Sequence, residues 1–527
     1  MRLPEIPTAV ARRLPLVGTA VLSAWYLAFF VMMAGKGPYD PDAWFLLATG
    51  RRIAESGIPM ENPFSVVPGL QIVVQQWLHD VLLYSAYAVG GFTAMHAFQF
   101  LLLALTATAL FASLRFLSSG RMPLHVAIAV SIAALALFRG YFSVRPLPWS
   151  ACAFLAVICA LVRARRSGNP IWYLVLPAVV LIHVQLQASM MPLDILTAAA
   201  FLLPDRVAEL KGRDSRRLYF ADRRILLLMI CLACAVSLLN PYGLKGATYL
   251  FRSLGEASYG NYIAEMQPPF RSLGVPFAIL YTAPMLVVAI LCHLANRRLP
   301  TLPVAVLVIG GIFAGATAYR NLWVYGLALA VSCALAYSTR VPVPASSEET
   351  APSNSGDLIA VSAVPRPLMV AAPVLFAVLV LLAGHGAIAV GVVENGAIPQ
   401  SSGRVDSWAF YETYARPLTD ELKKLPAGSR VLVDDGVTAN YMEWAGVPVV
   451  FDYRPEIWGP KISGVEGYRP YRDFVRAIHG EDSWTDYVTE GDWDAMLVLA
   501  KGADAYGALD GWRIDDRNAG FALILPE

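Results

Sequence analysis

The sequence predicts a polytopic α-helical membrane protein, with about 11 transmembrane helices, that ends in a small α/β domain. Three observations predict this class. First, 57% of the 527 residues are hydrophobic, mean hydropathy is +0.53 and only 15% are charged, against about 45–50% apolar and about 25% charged in soluble domains. Second, apolar runs of about 20 residues, the length that crosses a bilayer, recur over the first 395 positions. Third, the composition changes beyond residue 395: from Pro399 onward there are 22 acidic and 13 basic residues, and short apolar runs alternate with helical patterns.

The first apolar run, 14–34, follows Arg2, Arg12 and Arg13. It has the flanks of a signal peptide, but its length and the lack of a small-x-small cleavage site favour a retained anchor helix. Residues 35–91 then form a large first outer loop. Within it, 78–90 is apolar but too short to span and reads as an interfacial or re-entrant helix. Spans are expected at 92–117, 123–139, 147–163, 171–187, 189–204, 224–240, 275–295, 301–318 and 320–339, which completes a membrane domain over 1–340. Residues 341–366, rich in Pro, Ser, Ala and acid, read as a disordered cytoplasmic linker. A last span at 367–395, helical over 367–393, leads into the α/β domain at 396–527. Its expected strands are 430–435, 447–453, 495–500 and 521–526, and 471–479 is expected to be helical.

Lysine and arginine placement orients the chain. With the N-terminus inside, inner segments hold 19 of the 41 basic residues, outer loops 9 and the tail 13. The N-terminus is therefore expected in the cytoplasm of a bacterial inner membrane and the tail outside it. The six cysteines all lie in apolar runs, which argues against a disulfide framework; Cys231 and Cys234 have metal-like spacing but read as small core residues.

Under this orientation the unusual polar residues share the outer face: Asp40 and Asp42 after the first span, Arg139 and Arg145 in the next outer loop, His183, Gln185 and Gln187, Asn240 and Tyr242 of the Asn-Pro-Tyr-Gly turn, Glu265, and Arg320 with Asn321. Each also has a plain structural reading. Asp42 is a helix N-cap or loop acid, the arginines snorkel to headgroups, and His183 with the glutamines is hydrogen-bonding glue between helices. Asn240-Pro-Tyr-Gly is a helix stop, and Glu265 is a solvated acid. Their convergence on one face favours a site.

The stretch DPDAWFLLATGRRIAESGIPMENPFS (40–65) resembles the first outer loop of bacterial multispanning proteins related to C-type (GT-C) membrane glycosyltransferases, a class that includes protein mannosyltransferases and oligosaccharyltransferases. The resemblance continues through QQWLHD (75–80), Arg145-Pro146, NPYG (240–243), YIAEMQP (262–268), Arg320-Asn321 and VVFDYRPEIWG (449–459). The chain departs from the family pattern at Leu46, Gln75-Gln76 and Gln185-Leu186-Gln187-Ala188, where that pattern carries His or Glu.

The resemblance implies a GT-C-like fold and transfer of a sugar from a polyprenyl-phosphate-linked donor to an extracytoplasmic glycan, lipid or protein acceptor. Such chemistry needs a carboxylate for the acceptor hydroxyl, and Asp42 and Asp40 are the candidates. It needs cations for the leaving phosphate, and Arg139, Arg145 and Arg320 are candidates because guanidinium pairs bidentately with phosphate oxygens. Trp44 and Trp77 either stack on a sugar or sit in the interfacial aromatic belt. His183, Gln185, Gln187, Asn240, Tyr242, Glu265 and Asn321 complete the candidate substrate-binding set. No metal ligand set is assigned; a divalent cation, Mg or Mn, held by the second aspartate is the lesser alternative. The rival readings are a catalytically silent partner in envelope glycan assembly, which the departures favour, and a lipid or glycan transporter, whose matched helix breaks are not evident. No Walker A, dinucleotide, HExxH or GxSxG motif is present, and no nucleic-acid partner is expected.

Overall fold

A computed structural model describes residues 40–137 except 41, 144–205, 213–254, 264–338, 410–465 except 453 and 455, 470–478 and 482–527. The expected first and last spans, the linker at 341–366 and Arg139 lie outside these residues. Helices of nine or more residues are numbered in chain order: α1 Ala43–Ser56, α2 Trp77–Leu117, α3 Leu124–Ala136, α4 Leu147–Ser167, α5 Val175–Gln187, α6 Pro192–Ala200, α7 Arg213–Val236, α8 Val275–Ala295, α9 Leu302–Thr317, α10 Leu322–Ala336, α11 Gly436–Ala445 and α12 Pro470–Ile478.

The chain is a multi-pass membrane protein. Among the described residues, Trp77–Leu117, Leu147–Ser167, Pro170–Gln187 and Val275–Ala295 are long and apolar enough to cross a bilayer, while α3 and α9 are apolar but shorter. Large apolar side chains such as Leu101, Leu196, Ile279 and Phe313 face outward from the bundle, which suits lipid and not water. The apolar helix α10 is almost wholly buried, as expected of a helix without a polar face at the bundle centre. Two expected boundaries shift. The run 189–204 is helical only over α6, which begins at Pro192. The run 224–240 belongs to a helix that starts earlier, at Arg213.

The first loop holds a helix that the sequence does not predict. In α1, residues from Ala43 to Gly50 are all buried, so no alternation of polar and apolar faces marks it. The segment 78–90 is not a separate interfacial helix. It is the first half of α2, joined to the expected second span across a kink at Gly90 and Gly91, where Gly91 takes φ 59°, a conformation that favours glycine. Gly50 allows α1 to lie against α2: a Cβ there would fall onto the carbonyl oxygen of Asp80 and within 2.7 Å of the Tyr84 Cβ.

The tail is a four-stranded mixed sheet in the order β1-β2-β4-β3, with β1 Val431–Val433, β2 Ala495–Leu499, β3 Trp512–Arg517 and β4 Phe521–Pro526. β1 and β2 are parallel with Leu432 opposite Met496. β4 pairs antiparallel with β2 and β3. β3, sequence WRIDDR, is an edge strand with mostly exposed residues, and its charges hid it in the sequence. The expected strand 447–453 does not join the sheet. Instead Val449 N donates to Phe64 O (2.7 Å) and Val66 N donates to Val449 O (3.1 Å), tying the tail to the first loop. Trp44, Phe45, Leu46, Leu70 and Ile72 share one hydrophobic core with Tyr411, Tyr441, Phe451, Trp458 and the sheet. The tail and the first loop therefore form a single packed unit at one end of the helical bundle.

Candidate functional site

At that end the loop before α4 delivers Arg145 into a ring of carboxylates. Arg145 Nε donates to Asp40 Oδ2 at 2.7 Å and Nη2 to Asp40 Oδ1 at 3.2 Å. Nη2 also lies 3.0 Å from Asp42 Oδ2, and Nη1 lies 3.3 Å from Glu265 Oε2. The two aspartates are held together locally, because Asp42 N donates to Asp40 Oδ1 at 3.0 Å. Asp40 is buried, whereas 22% of the Asp42 side chain and 31% of that of Glu265 remain exposed. Asp40 is thus the internal anchor, and Asp42 and Glu265 are the carboxylates that face outward.

The Asp42 carboxyl is pushed up to about 7. Burial is the largest cause; Arg145 opposes it, and Asp40, Glu265 and Glu456 reinforce it by like-charge repulsion. Glu456 comes from the tail. It accepts a hydrogen bond from Tyr249 Oη at 3.1 Å, and its own carboxyl is raised by burial while Arg320 pulls it down. Arg320, in the short turn Tyr319–Asn321, makes no hydrogen bond or ion pair among the described residues. The site therefore draws on the first loop, the turns before α4 and α10, the segment at Glu265 and the tail. Glu456 was not anticipated; the signal available was its place in the VVFDYRPEIWG segment.

The remaining sequence candidates fall elsewhere. Trp44 is fully buried, with its ring 4.8 Å from Tyr441 and 5.9 Å from Tyr411, so it is a core residue and neither a sugar platform nor part of an aromatic belt. Trp77 donates to Gln185 Oε1 at 2.9 Å, and Gln185 Nε2 donates to Leu239 O at 2.8 Å; both residues brace α2, α5 and the turn after α7. His183 and Gln187 are buried. His183 Nε2 lies 2.7 Å from Ser150 Oγ and Nδ1 2.6 Å from Asp194 Oδ2, while Ser150 donates to Gln187 Oε1 at 2.5 Å. That network joins α4, α5 and α6, which corrects the substrate-binding expectation for these two residues. Asn240 holds its own turn through Ser237 O and Gly243 O, and Tyr242 Oη donates to Pro59 O. Asn321 stands beside Arg320 at the start of α10.

The carboxylates do not suit a divalent ion. Among the described residues no three His, Cys, Asp or Glu side chains are placed to hold a metal, and the Arg145 guanidinium stands between the three acids that come nearest to doing so.

No family model matches the chain, and no curated protein matches its sequence. Solved structures do. The archaeal oligosaccharyltransferase AglB from Archaeoglobus fulgidus, in complex with an inhibitory peptide and a dolichol-phosphate, aligns with a TM-score of 0.53 at 12% identity over 91% of this chain and 70% of its own. ArnT from Cupriavidus metallidurans, bound to undecaprenyl phosphate, aligns with a TM-score of 0.50 at 11% identity over 96% and 97%. Both are GT-C glycosyltransferases, and the present chain has the GT-C fold.

Proposed function

We propose that the protein is an integral-membrane glycosyltransferase that moves a sugar from a polyprenyl-phosphate-linked donor to an extracytoplasmic acceptor. The observation that carries this reading is the Asp40–Asp42–Glu265 cluster around Arg145 at the loop end of a GT-C bundle, with Asp42 titrating near 7. A base is most effective when its pKa lies near the working pH. Asp42 takes the proton of the acceptor hydroxyl as the acceptor oxygen bonds to the anomeric carbon. The bond from that carbon to the phosphate oxygen breaks, and the phosphate leaves with the electron pair. Asp40 holds Arg145 bidentately, and Arg145 keeps Asp42 ionisable. Arg320, which makes no ion pair among the described residues and acts on Glu456 only through its charge, is the group we assign to the leaving phosphate. AglB and ArnT, in their complexes with dolichol-phosphate and undecaprenyl phosphate, supply the donor class by analogy.

The test is Asp42→Asn in the full-length protein. It keeps size and most hydrogen bonding, so the fold should persist while transfer from a polyprenyl-phosphate sugar falls by about 10²-fold or more. A second reading, a catalytically silent GT-C partner, is favoured by the departures from the family pattern. Leu46 is buried core, Gln75 Oε1 accepts from Ser189 N, and Gln187 is tied to Ser150, so these positions serve the scaffold. A protein carrying both Asp40→Asn and Asp42→Asn that restores the surface glycan of a deletion strain would establish that second reading.

A further inference from the structure

We propose that His79 is a positioning residue for Arg145: its ring, wedged between the indole of Trp149 and the carbonyl of Val144, fixes the backbone from which the guanidinium reaches Asp40, Asp42 and Glu265. This inference rests on the site reading above. The QQWLHD stretch (75–80) marked this histidine, but neither the acid–base step nor phosphate binding uses it.

The geometry assigns the ring one state. His79 is fully buried in the first turn of α2. Trp149 Nε1 lies 3.2 Å from its Nδ1, and Val144 O lies 2.6 Å from its Nε2. An indole N–H only donates and a carbonyl only accepts. Nδ1 is therefore bare and Nε2 carries the proton, so both bonds are satisfied by one neutral tautomer and by no other protonation state. The bonded carbonyl belongs to the residue directly before Arg145, and Val144 is itself fully buried. The indole belongs to the first turn of α4, where Trp149 N donates to Pro146 O at 3.0 Å. One ring thus clamps the segment 144–149 at both ends, and Arg145 lies inside the clamp. Phe98, 6.0 Å away between ring centroids, closes a further side.

Moving the clamp moves the guanidinium, and Arg145 is the group that pulls Asp42 down against burial. The test is an infrared titration of the Asp42 carboxyl, identified by difference against Asp42→Asn, in full-length protein in lipid nanodiscs. His79→Phe keeps a ring but removes both hydrogen bonds; Asp42 should titrate about 1 unit higher. His79→Gln keeps an N–H that reaches Val144 O and should hold Asp42 near its parental value. Arg145→Ala should raise Asp42 at least as far, and adding His79→Phe to it should raise it no further. A His79→Phe titration like that of the parent, or an equal shift in the Arg145→Ala background, overturns the proposal. If His79→Phe does not fold, Trp149→Phe carries the test: it removes only the indole donor and should give a smaller upward shift that vanishes with Arg145→Ala, and no shift overturns the proposal. Transfer activity is read on the same samples. An inactive parent that shows these shifts sinks the glycosyltransferase reading and keeps His79 as the positioning residue. An active parent without them does the reverse.

Discussion

The guanidinium carbon of Arg454 lies 4.3 Å from the ring centroid of Phe45. Phe45 belongs to the first helix after Asp42, and Arg454 to the tail more than four hundred residues later. The same guanidinium donates to Glu443 at 2.8 Å and to Asp452 at 2.5 Å, and both carboxylates are fully buried. Burial raises the Glu443 carboxyl well above the usual range; at Asp452 burial is again the largest single effect, but the Arg454 charge and the hydrogen bonds from Glu443 and Arg454 together overcome it and hold that carboxyl down.

Arg454→Ala leaves two buried acids without their cation. Breaking a buried pair from one side costs about 3–5 kcal/mol. The expected outcome is a clear fall in melting temperature together with new protease sensitivity in the tail and the first loop, because the two share a core. Limited proteolysis with mass mapping checks it; cleavage confined to the tail would contradict the shared core.

Gly50→Ala should fail for a steric reason. The added methyl meets the Asp80 carbonyl oxygen, which is backbone and cannot swing away. Overpacking of this kind costs about 1–3 kcal/mol, and α1 must move off α2, carrying Asp42 with it. Melting temperature and transfer activity should fall together, whereas Ala48→Gly, in the same helix, should cost about 1 kcal/mol without displacing α1.

The pH dependence has a definite sign. Asp42 titrates near 7 in the folded protein against about 3.9 for a free aspartate. As a base it works when deprotonated, so kcat/KM should rise with pH through about 7 and level off above. Stability runs the other way. Between about 4 and 7 the folded protein retains a proton that the unfolded chain has lost, so this contribution is full below the lower value and is lost as pH rises through the upper one. Asp42→Asn should therefore lose less stability than the parent between pH 5 and pH 8 in denaturant titrations.

The two arginines should separate by assay. Arg320 makes no ion pair among the described residues, so Arg320→Ala should weaken polyprenyl-phosphate binding by roughly tenfold, the effect of one charged hydrogen bond. Arg145 is engaged by three carboxylates, and Arg145→Ala should chiefly raise the titration of Asp42. A lipid-binding assay in which Arg320→Ala binds as the parent does would return Arg320 to a headgroup role.

Single cysteines at Ser215 and Ser483 test the orientation. In intact cells Ser483→Cys should react with an impermeant maleimide and Ser215→Cys should not. Labelling of Ser215→Cys from outside would turn the proposed site toward the cytoplasm.

Composition and run length alone determined that this chain lives in a membrane, because burying so many apolar side chains needs more low-dielectric volume than a water-soluble fold supplies. The order of short motifs pointed to a GT-C-like fold and brought Asp40, Asp42, Arg145, Glu265 and Arg320 under suspicion, since charges beside apolar runs are costly and therefore conspicuous. Apolar run length gave α8 and three of the four strands. It missed α1, whose first eight residues are buried on every side and so show no polar face, and β3, whose outward charges break the apolar run. Only the tertiary structure decided that Arg145 is enclosed by carboxylates and that Trp44, His183 and Gln187 are interior braces. Only it brought Glu456 from the tail to the same site and set His79 against Val144. Each of these is a relation between residues from about 10 to more than 400 positions apart, fixed by packing and hydrogen-bond geometry, and local sequence carries neither.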